Sequence, residues 1–459
     1  MIRSLENIYS FISSHSKGLR LSVYLIAFII RFVLAIFFQD SIVFFDTGLD
    51  IFVNHSNLYA NTTLQSTFNY FPLAYLVTLP QIWLYYLLPF RSSVLLRVMF
   101  KLPKISADLV LAWLFSDKFL YNLYQKDITN FKVVNQLSTK FINNYELFIL
   151  FNPLNIYISA MTNQIDMFPA IFLVLSWYAY KKDKYLFSGM SVMIAFLIKE
   201  YAVFLMIILF FATLKRSFKF LKRFIIGNLI VFIPTVGIVS IINFRGFIDH
   251  AILYQLFRKP IGSSISAFVY EIGTYILPST MDRIFQTLVS LSSFSIILLV
   301  FLFGCYKVYM APTEKNIILY STLSFLAFCI FNKVFWPQYL VSLFALWLLY
   351  RIENQKPFNN EFIYWVISIT PIFLLYRSGE LATQALVYIL GLDFYIDLII
   401  MFFALHIIII LFLVKMKQIN IKNNRFIIGY FIIMIFIISQ IYFQLYLIHL
   451  PTYTLQKMP

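Results

Sequence analysis

Apolar runs recur along this chain from residue 21 to residue 448, and no long polar block separates them. A soluble helix keeps one polar face toward water, so a chain that renews its apolar runs this often needs lipid around it. Backbone groups in lipid must be satisfied within the segment, which leaves helices as the spanning element. The pattern therefore predicts an all-α polytopic membrane protein forming one integral membrane domain over residues 1–459. Composition agrees, with 61% apolar residues, 12% charged residues and a mean hydropathy of +0.82. Arg3, Lys17 and Arg20 precede LSVYLIAFIIRFVLAIFF with no small-residue cleavage site after it, so the first helix is expected to be an uncleaved start-transfer segment.

The formal net charge is +16, yet Lys and Arg cluster in short links between apolar segments. That is the mark of cytoplasmic loops, and it argues against nucleic acid as a partner. Cys305 and Cys329 lie in separate apolar runs, which excludes a disulfide framework and a Cys-based metal site. His55, His250, His406 and His449 show no metal-ligand spacing, so a zinc site is not expected.

The positive-inside rule orients the chain. Residues 1–20 are expected in the cytoplasm and residues 39–102 outside, followed by core helices over 103–350 and C-terminal helices over 351–459. The links at 181–184, 215–223, 311–316, 351–361 and 415–425 are basic and are assigned to the cytoplasm. From Phe32 to Phe90 there is no Lys or Arg, while Asp46 and Asp50 fall in that stretch, as expected for an external loop. The sequons at Asn54 and Asn61 suit the same placement. Two full spans at 71–90 and 103–124 would put the basic link 125–145 outside. Residues 71–90, interrupted by Pro72, Pro80 and Pro89, are therefore expected as a re-entrant or interfacial segment. The alternative, an extra crossing near 125–145, is too polar to span. Several segments between 146 and 214 reach only roughly 20–25 Å, short of a 30 Å hydrocarbon core. Such helices are expected to line a cavity, opening on the outer face, or to sit where the bilayer is thinned. No internal repeat stands out, which disfavours transporter folds built on inverted repeats.

Polar residues gather at the outer turns: Asp46 and Asp50, then Gln164 and Asp166, Lys199 and Glu200, His250 and Arg258, and Lys333 and Gln338. Five turns supplying acids, amides and cations to one membrane face suit a site for a polar group carried on a lipid. Plainer readings stand beside this one. Asp50 could be a solvated loop acid, Lys104 and Asp108 a structural i, i+4 pair, Lys199 a snorkelling side chain, and Pro153 in NPLNIYISA only a helix kink. Tyr70, with Tyr59, Phe71 and Tyr75, could stack on a sugar, although anchoring at the interface is the commoner use of such aromatics.

RFVLAIFFQD, FFDTGLDIFV and NLYANTTLQSTFNYFPLAYL are followed in order by KLPKISADLVLAWLF, FNPLNIYISAMTNQIDMFPAIFLVLSWYAYKKDKYLFSGMSVMIAFLIKEYAVFL, YQLFRKPIGSSIS and FNKVFWPQYLVSLFALWLL. In that order they resemble the GPI mannosyltransferase I catalytic-subunit family, within the GT-C class of polyprenyl-phosphate-sugar-dependent glycosyltransferases. The similarity extends over most of residues 31–350, and NKV…QY is its sharpest part. The resemblance implies a GT-C-like bundle of about 12–13 transmembrane helices with an extracytoplasmic first loop that carries an essential Asp. That Asp maps to Asp46 or Asp50, spaced Asp-x-x-x-Asp where the family often has Asp-x-Asp.

The expected activity is inverting transfer of a hexose, with mannose expected, from a polyprenyl (dolichyl) phosphate carrier to a lipid-linked or glycolipid acceptor. Asp46 would act as general base, with Asp50 the alternative. Arg258, Lys333 and Lys199 would hold the phosphate, and Gln164, Asp166, Gln338 and Tyr70 complete the expected substrate contacts. The sequence fixes no cofactor and leaves a divalent Mg or Mn ion open, and a small membrane subunit is a further candidate partner. The Ile-, Lys- and Asn-rich composition suggests a prokaryotic or archaeal cell membrane, with the endoplasmic reticulum as the alternative. The rival activities are a transporter or flippase of lipid-linked saccharide and a non-catalytic subunit.

Overall fold

The computed structural model describes residues 17–37, 72–89, 92–116, 119–120, 144–161, 164–254, 261–262, 266, 269–270, 273, 278–335 and 337–354. The chain divides into two compact units, Met1–Phe373 and Leu374–Pro459, and every described residue belongs to the first. Of the C-terminal helices expected over 351–459, residues 355–459 lie outside the described residues, and with them the total of 12–13 spans.

Apart from a two-residue parallel pairing of Ile261–Gly262 with Val334–Phe335, the described elements are helical. They are α1 (Lys17–Phe37), the short α2 (Pro72–Leu76) and α3 (Leu79–Leu87), α4 (Ser93–Leu114), α5 (Asn144–Phe151) and α6 (Pro153–Ile156). After a π turn over Tyr157–Met161 come α7 (Met167–Lys181), α8 (Tyr185–Ile198), α9 (Val203–Arg216), α10 (Phe218–Phe247), α11 (Asp282–Met310), α12 (Glu314–Phe331) and α13 (Leu340–Glu353).

Four of these are long and apolar enough to cross a membrane: Arg20–Phe37 of α1, Phe218–Gly237 of α10, Asp282–Met310 (α11) and Glu314–Phe331 (α12). Their burial separates them. Only 22%, 28% and 28% of the apolar windows of α1, α10 and α11 are buried, against 61% for α12. On α1 the exposed side chains Leu21, Leu25, Ile29 and Val33 recur every four residues, while Ala27, Arg31 and Ala35 on the opposite face are fully buried. The first face suits acyl chains and the second packs on protein. The shorter α7, α8 and α9 hold most of their buried side chains inside this outer layer. At 14 or 15 residues they span about 21–23 Å, and protein rather than lipid surrounds them.

Local chemistry sets the breaks. Ser92 caps α4, its side chain accepting from the Leu95 N–H at 3.1 Å. The helix therefore starts ten residues before the apolar run expected at 103, and Pro103 sits in its interior. Asn152 ends α5 and accepts from the Leu154 N–H at 2.9 Å, with Pro153 at the first position of α6, where no N–H is needed. The turn between α7 and α8 places Asp183 at φ 57°, a left-handed conformation that Asp tolerates better than most residues.

Contacts between helix ends fix their directions. Arg20 near the start of α1 donates to Glu146 at the start of α5 at 2.5 Å. Arg97 near the start of α4 reaches the Ile36 carbonyl near the end of α1 at 3.2 Å, so α4 runs against α1 and α5. Just beyond α4, Phe119 lies 4.5 Å from Tyr178 in the last turn of α7. There Lys181 meets Glu314 at 2.7 Å and Glu353 at 3.1 Å, and Arg216 meets the Tyr185 hydroxyl at 3.2 Å. The start of α1, the end of α4, the start of α5 and the links around 181–185, 216, 314 and 353 thus share one end of the bundle. The chain accordingly leaves α1 and enters α4 at the opposite end, and α2 and α3, at five and nine residues, are each too short to cross.

The tightest helix contact is between α8 and α10. A Cβ on Gly189 would stand 2.2 Å from the Phe224 carbonyl oxygen, and one on Gly227 would stand 2.1 Å from that of Leu186. Both obstacles are backbone, so neither helix can move aside without parting from the other. Gly227→Ala is expected to destabilise the protein by about 1–3 kcal/mol, measured by thermal unfolding in detergent. Gly237→Ala, with nothing within 4 Å of its Cβ, should leave stability unchanged or slightly raised.

Candidate functional site

Two buried polar clusters lie between the middle of the bundle and the end at which α1 finishes. The first is built on Asp108. Arg31 of α1 contacts its Oδ2 through Nε at 2.7 Å and through a terminal nitrogen at 2.6 Å. Asn155 donates to Oδ1 at 3.2 Å and Ser159 to Oδ2 at 3.1 Å. All four residues are at most 3% exposed. Asn155 and Ser159 stand four residues apart across the junction of α6 and the π turn, so both face α4. Arg31 also donates to the Ala27 carbonyl at 3.1 Å. The carboxylate meets a matched charge and two neutral donors, the arrangement that makes a buried ion pair tolerable.

The second cluster sits at the end itself. Asp166 precedes α7, Lys199 is the extended residue between α8 and a 3-10 turn over Glu200–Ala202, and Ser342 lies in the first turn of α13. The Tyr201 hydroxyl donates to Asp166 Oδ1 at 3.1 Å and lies 3.0 Å from Ser342 Oγ. Lys199 Nζ stands 3.8 Å from Asp166 Oδ2 and 5.3 Å from the centre of the Tyr339 ring. The Tyr201 ring stacks on Phe325 at 4.6 Å, which fixes the hydroxyl that reads Asp166. Lys199 is 1% exposed and Asp166 fully buried, so Lys199 does not snorkel to the interface; its ammonium turns inward to the carboxylate.

Of the expected substrate residues, the structure brings Asp166 and Lys199 into contact. Gln164 lies two residues before Asp166, half-buried, its N–H donating to the Ile158 carbonyl at 3.2 Å. Gln338 is half-buried in the 3-10 turn Pro337–Tyr339, beside the tyrosine that Lys199 faces. Lys333 is half-buried in the turn after α12. Asp46, Asp50, Tyr70 and Arg258 lie outside the described residues. Among the described residues no group of three or more His, Cys, Asp or Glu could hold a metal ion.

The i, i+4 pairing of Lys104 with Asp108 gives way to other partners. Asp108 takes Arg31 from a different helix, while Lys104 Nζ donates to the Phe100 carbonyl at 2.7 Å. Arg31, Asn155, Ser159, Tyr201 and Ser342 were not among the expected site residues. The signal for the first three was present: Arg31 and Asp108 are opposite charges inside apolar runs, and NPLNIYISA places an amide and a hydroxyl four residues apart. Ser342 and Tyr201 carry no such mark.

No protein-family model matches the sequence, and no curated protein matches it either.

Breaking the Arg31–Asp108 pair on one side strands a buried charge. Asp108→Leu is expected to cost about 3–5 kcal/mol, whereas Arg31→Leu combined with Asp108→Leu should recover most of that loss. Unfolding of the two single variants and the double variant in detergent closes the cycle.

Proposed function

We propose that the protein is an integral membrane glycosyltransferase of the GT-C type, moving a hexose, mannose first among candidates, from a polyprenyl phosphate carrier to a lipid-linked or glycolipid acceptor. The observation that carries this reading is positional. The chain leaves α1 and enters α4 at the bundle end where Asp166, Lys199, Tyr201 and Ser342 meet, and Asp46 and Asp50 fall in the sequence between those two helices. The basic links gather at the other end, so the charge rule puts the polar cluster outside the cytoplasm. Resemblance to the GPI mannosyltransferase I catalytic subunits supports the same assignment. The bundle then continues to about 12–13 spans in a multi-pass protein of a cell membrane or the endoplasmic reticulum.

In this mechanism the polyprenyl phosphate is already a good leaving group. A carboxylate of the first loop, Asp46 or Asp50, takes the proton from the acceptor hydroxyl as the new C–O bond forms, with inversion at the sugar carbon. Cations stabilise the phosphate as the C–O bond to the carrier breaks and its charge grows. Lys199 is poorly suited to this last task because Asp166 already matches its charge; the pair instead holds the turn beside α13.

Transfer of labelled mannose from polyprenyl phosphate mannose to membrane lipid acceptors tests the reading. Either Asp46→Asn or Asp50→Asn is expected to lower transfer 10²–10⁴-fold at normal expression. Unchanged transfer in both, or movement of labelled lipid across the bilayer without transfer, would replace the enzyme with a flippase. Orientation has its own check. A cysteine at Lys333 should react with an impermeant maleimide from outside, and one at Lys184 only after permeabilisation, the native Cys305 and Cys329 being buried.

A further inference from the structure

The exposed side of α10 changes character along its length. Lys219, Lys222, Arg223, Ile226, Ile230 and Ile233 fall within an arc of about 100° at 3.6 residues per turn, and all six are exposed. A Cβ on Gly237, on the same stripe, would meet nothing within 4 Å. Leu221, Phe224 and Asn228, on the other side of the helix, are buried. The stripe is therefore basic at one end and apolar beyond it. Its three cations lie within the stretch Phe218–Gly237, which is long and apolar enough to cross a membrane, and not in the link that precedes it. Acids do not offset them. Those at this end of the bundle are taken by other cations: Glu146 by Arg20, Glu314 and Glu353 by Lys181, and Asp183 by Arg216 at 3.7 Å. Among the described residues no acid pairs with Lys219, Lys222 or Arg223.

We propose that this stripe of α10 binds an anionic phospholipid from the leaflet at the basic end of the bundle, with its phosphate among Lys219, Lys222 and Arg223 and its acyl chains along Ile226, Ile230 and Ile233. Water alone would serve three exposed cations, so the apolar row below them carries the choice of ligand. From Arg223 to Ile233 the helix axis advances about 15 Å, half of a roughly 30 Å hydrocarbon core and so the depth of one leaflet. An acidic protein segment would match the charges and leave that row uncovered. A zwitterionic lipid brings its own ammonium, which three cations repel, whereas a lipid with net negative charge matches them, each basic side chain at the bilayer surface adding to its attraction. Phe218, 73% exposed just before Lys219, adds an aromatic ring at the level where such rings anchor. The site stands whether or not the protein transfers a sugar.

Native mass spectrometry of the full-length protein in detergent, titrated with dioleoyl phosphatidylglycerol or dioleoyl phosphatidylcholine, resolves each bound lipid and tests the site. The wild-type protein should bind its first phosphatidylglycerol about ten-fold or more tighter than phosphatidylcholine. Lys219→Gln, Lys222→Gln and Arg223→Gln should each lower that preference about three- to five-fold, and the three together should abolish it. All three side chains are exposed, so thermal unfolding in lipid-free detergent should stay unchanged. Lys307→Gln combined with Lys315→Gln, which removes exposed cations of α11 and α12 at the same end, should leave the preference intact. The proposal is overturned if the triple variant keeps the wild-type preference, or if the Lys307 and Lys315 pair lowers it as much, which would make the effect one of net charge. It is also overturned if glycerol phosphate displaces the lipid as well as phosphatidylglycerol does, assigning the cations to free phosphate, or if a poly-glutamate peptide does so, assigning them to an acidic protein partner.

Discussion

An arginine and an aspartate with no access to water have to find each other, and in this bundle they do so across two helices. The Arg31–Asp108 pair decides which face of α1 turns inward and which face of α4 meets it. It also gathers the polypeptide beyond it: Asn155 in α6 and Ser159 in the π turn, four residues apart, both donate to Asp108. Small residues flank the arginine at Ala27 and Ala35, letting α1 come close enough for the guanidinium to reach. Remove the pair and the geometric reason for this three-element unit disappears.

Around that unit the protein sorts helices by length. The long helices α1, α4, α10 and α11 carry exposed apolar faces, while α7, α8, α9 and the 18-residue α12 are largely enclosed, so thickness that the short enclosed helices cannot provide is supplied by their neighbours. Close backbone approach at Gly189 and Gly227 binds α8 to α10, joining an enclosed helix to an outer one. The basic end is tied separately: a single ammonium, Lys181, is shared by acids at the start of α12 and the end of α13.

Much of this architecture was legible in the sequence because hydropathy and charge act locally. The apolar runs indicated helices, and the alternating basic links grouped 181–184, 215–223, 311–316 and 351 before any contact was known. Helix starts were less legible. The apolar run from Pro103 concealed ten earlier residues, since a serine cap and a basic amphipathic turn look like a loop when only hydropathy is weighed. The site was legible only in part. Asp166 and Lys199 stood out as charges in outer turns, but the role of Lys199 depends on which way its flexible stem turns, and that is set by Tyr339 and Asp166 arriving from other helices. Tyr201 and Ser342 are ordinary residue types whose meaning comes from a partner 141 residues away, a separation that no local pattern encodes.

The distance in sequence between Arg31 and Asp108, 77 residues, bears on how the chain is made. During synthesis α1 emerges first, carrying an arginine whose placement at the centre of a lone helix costs about 2.5–3.5 kcal/mol on an insertion scale. Its remaining leucines, isoleucines and phenylalanines offset that cost, so α1 can enter the bilayer early, but its arginine stays without its acid until α4 has been translated. The first helix is thus held provisionally and settles only when the fourth arrives, which makes the order of translation part of the assembly of the fold.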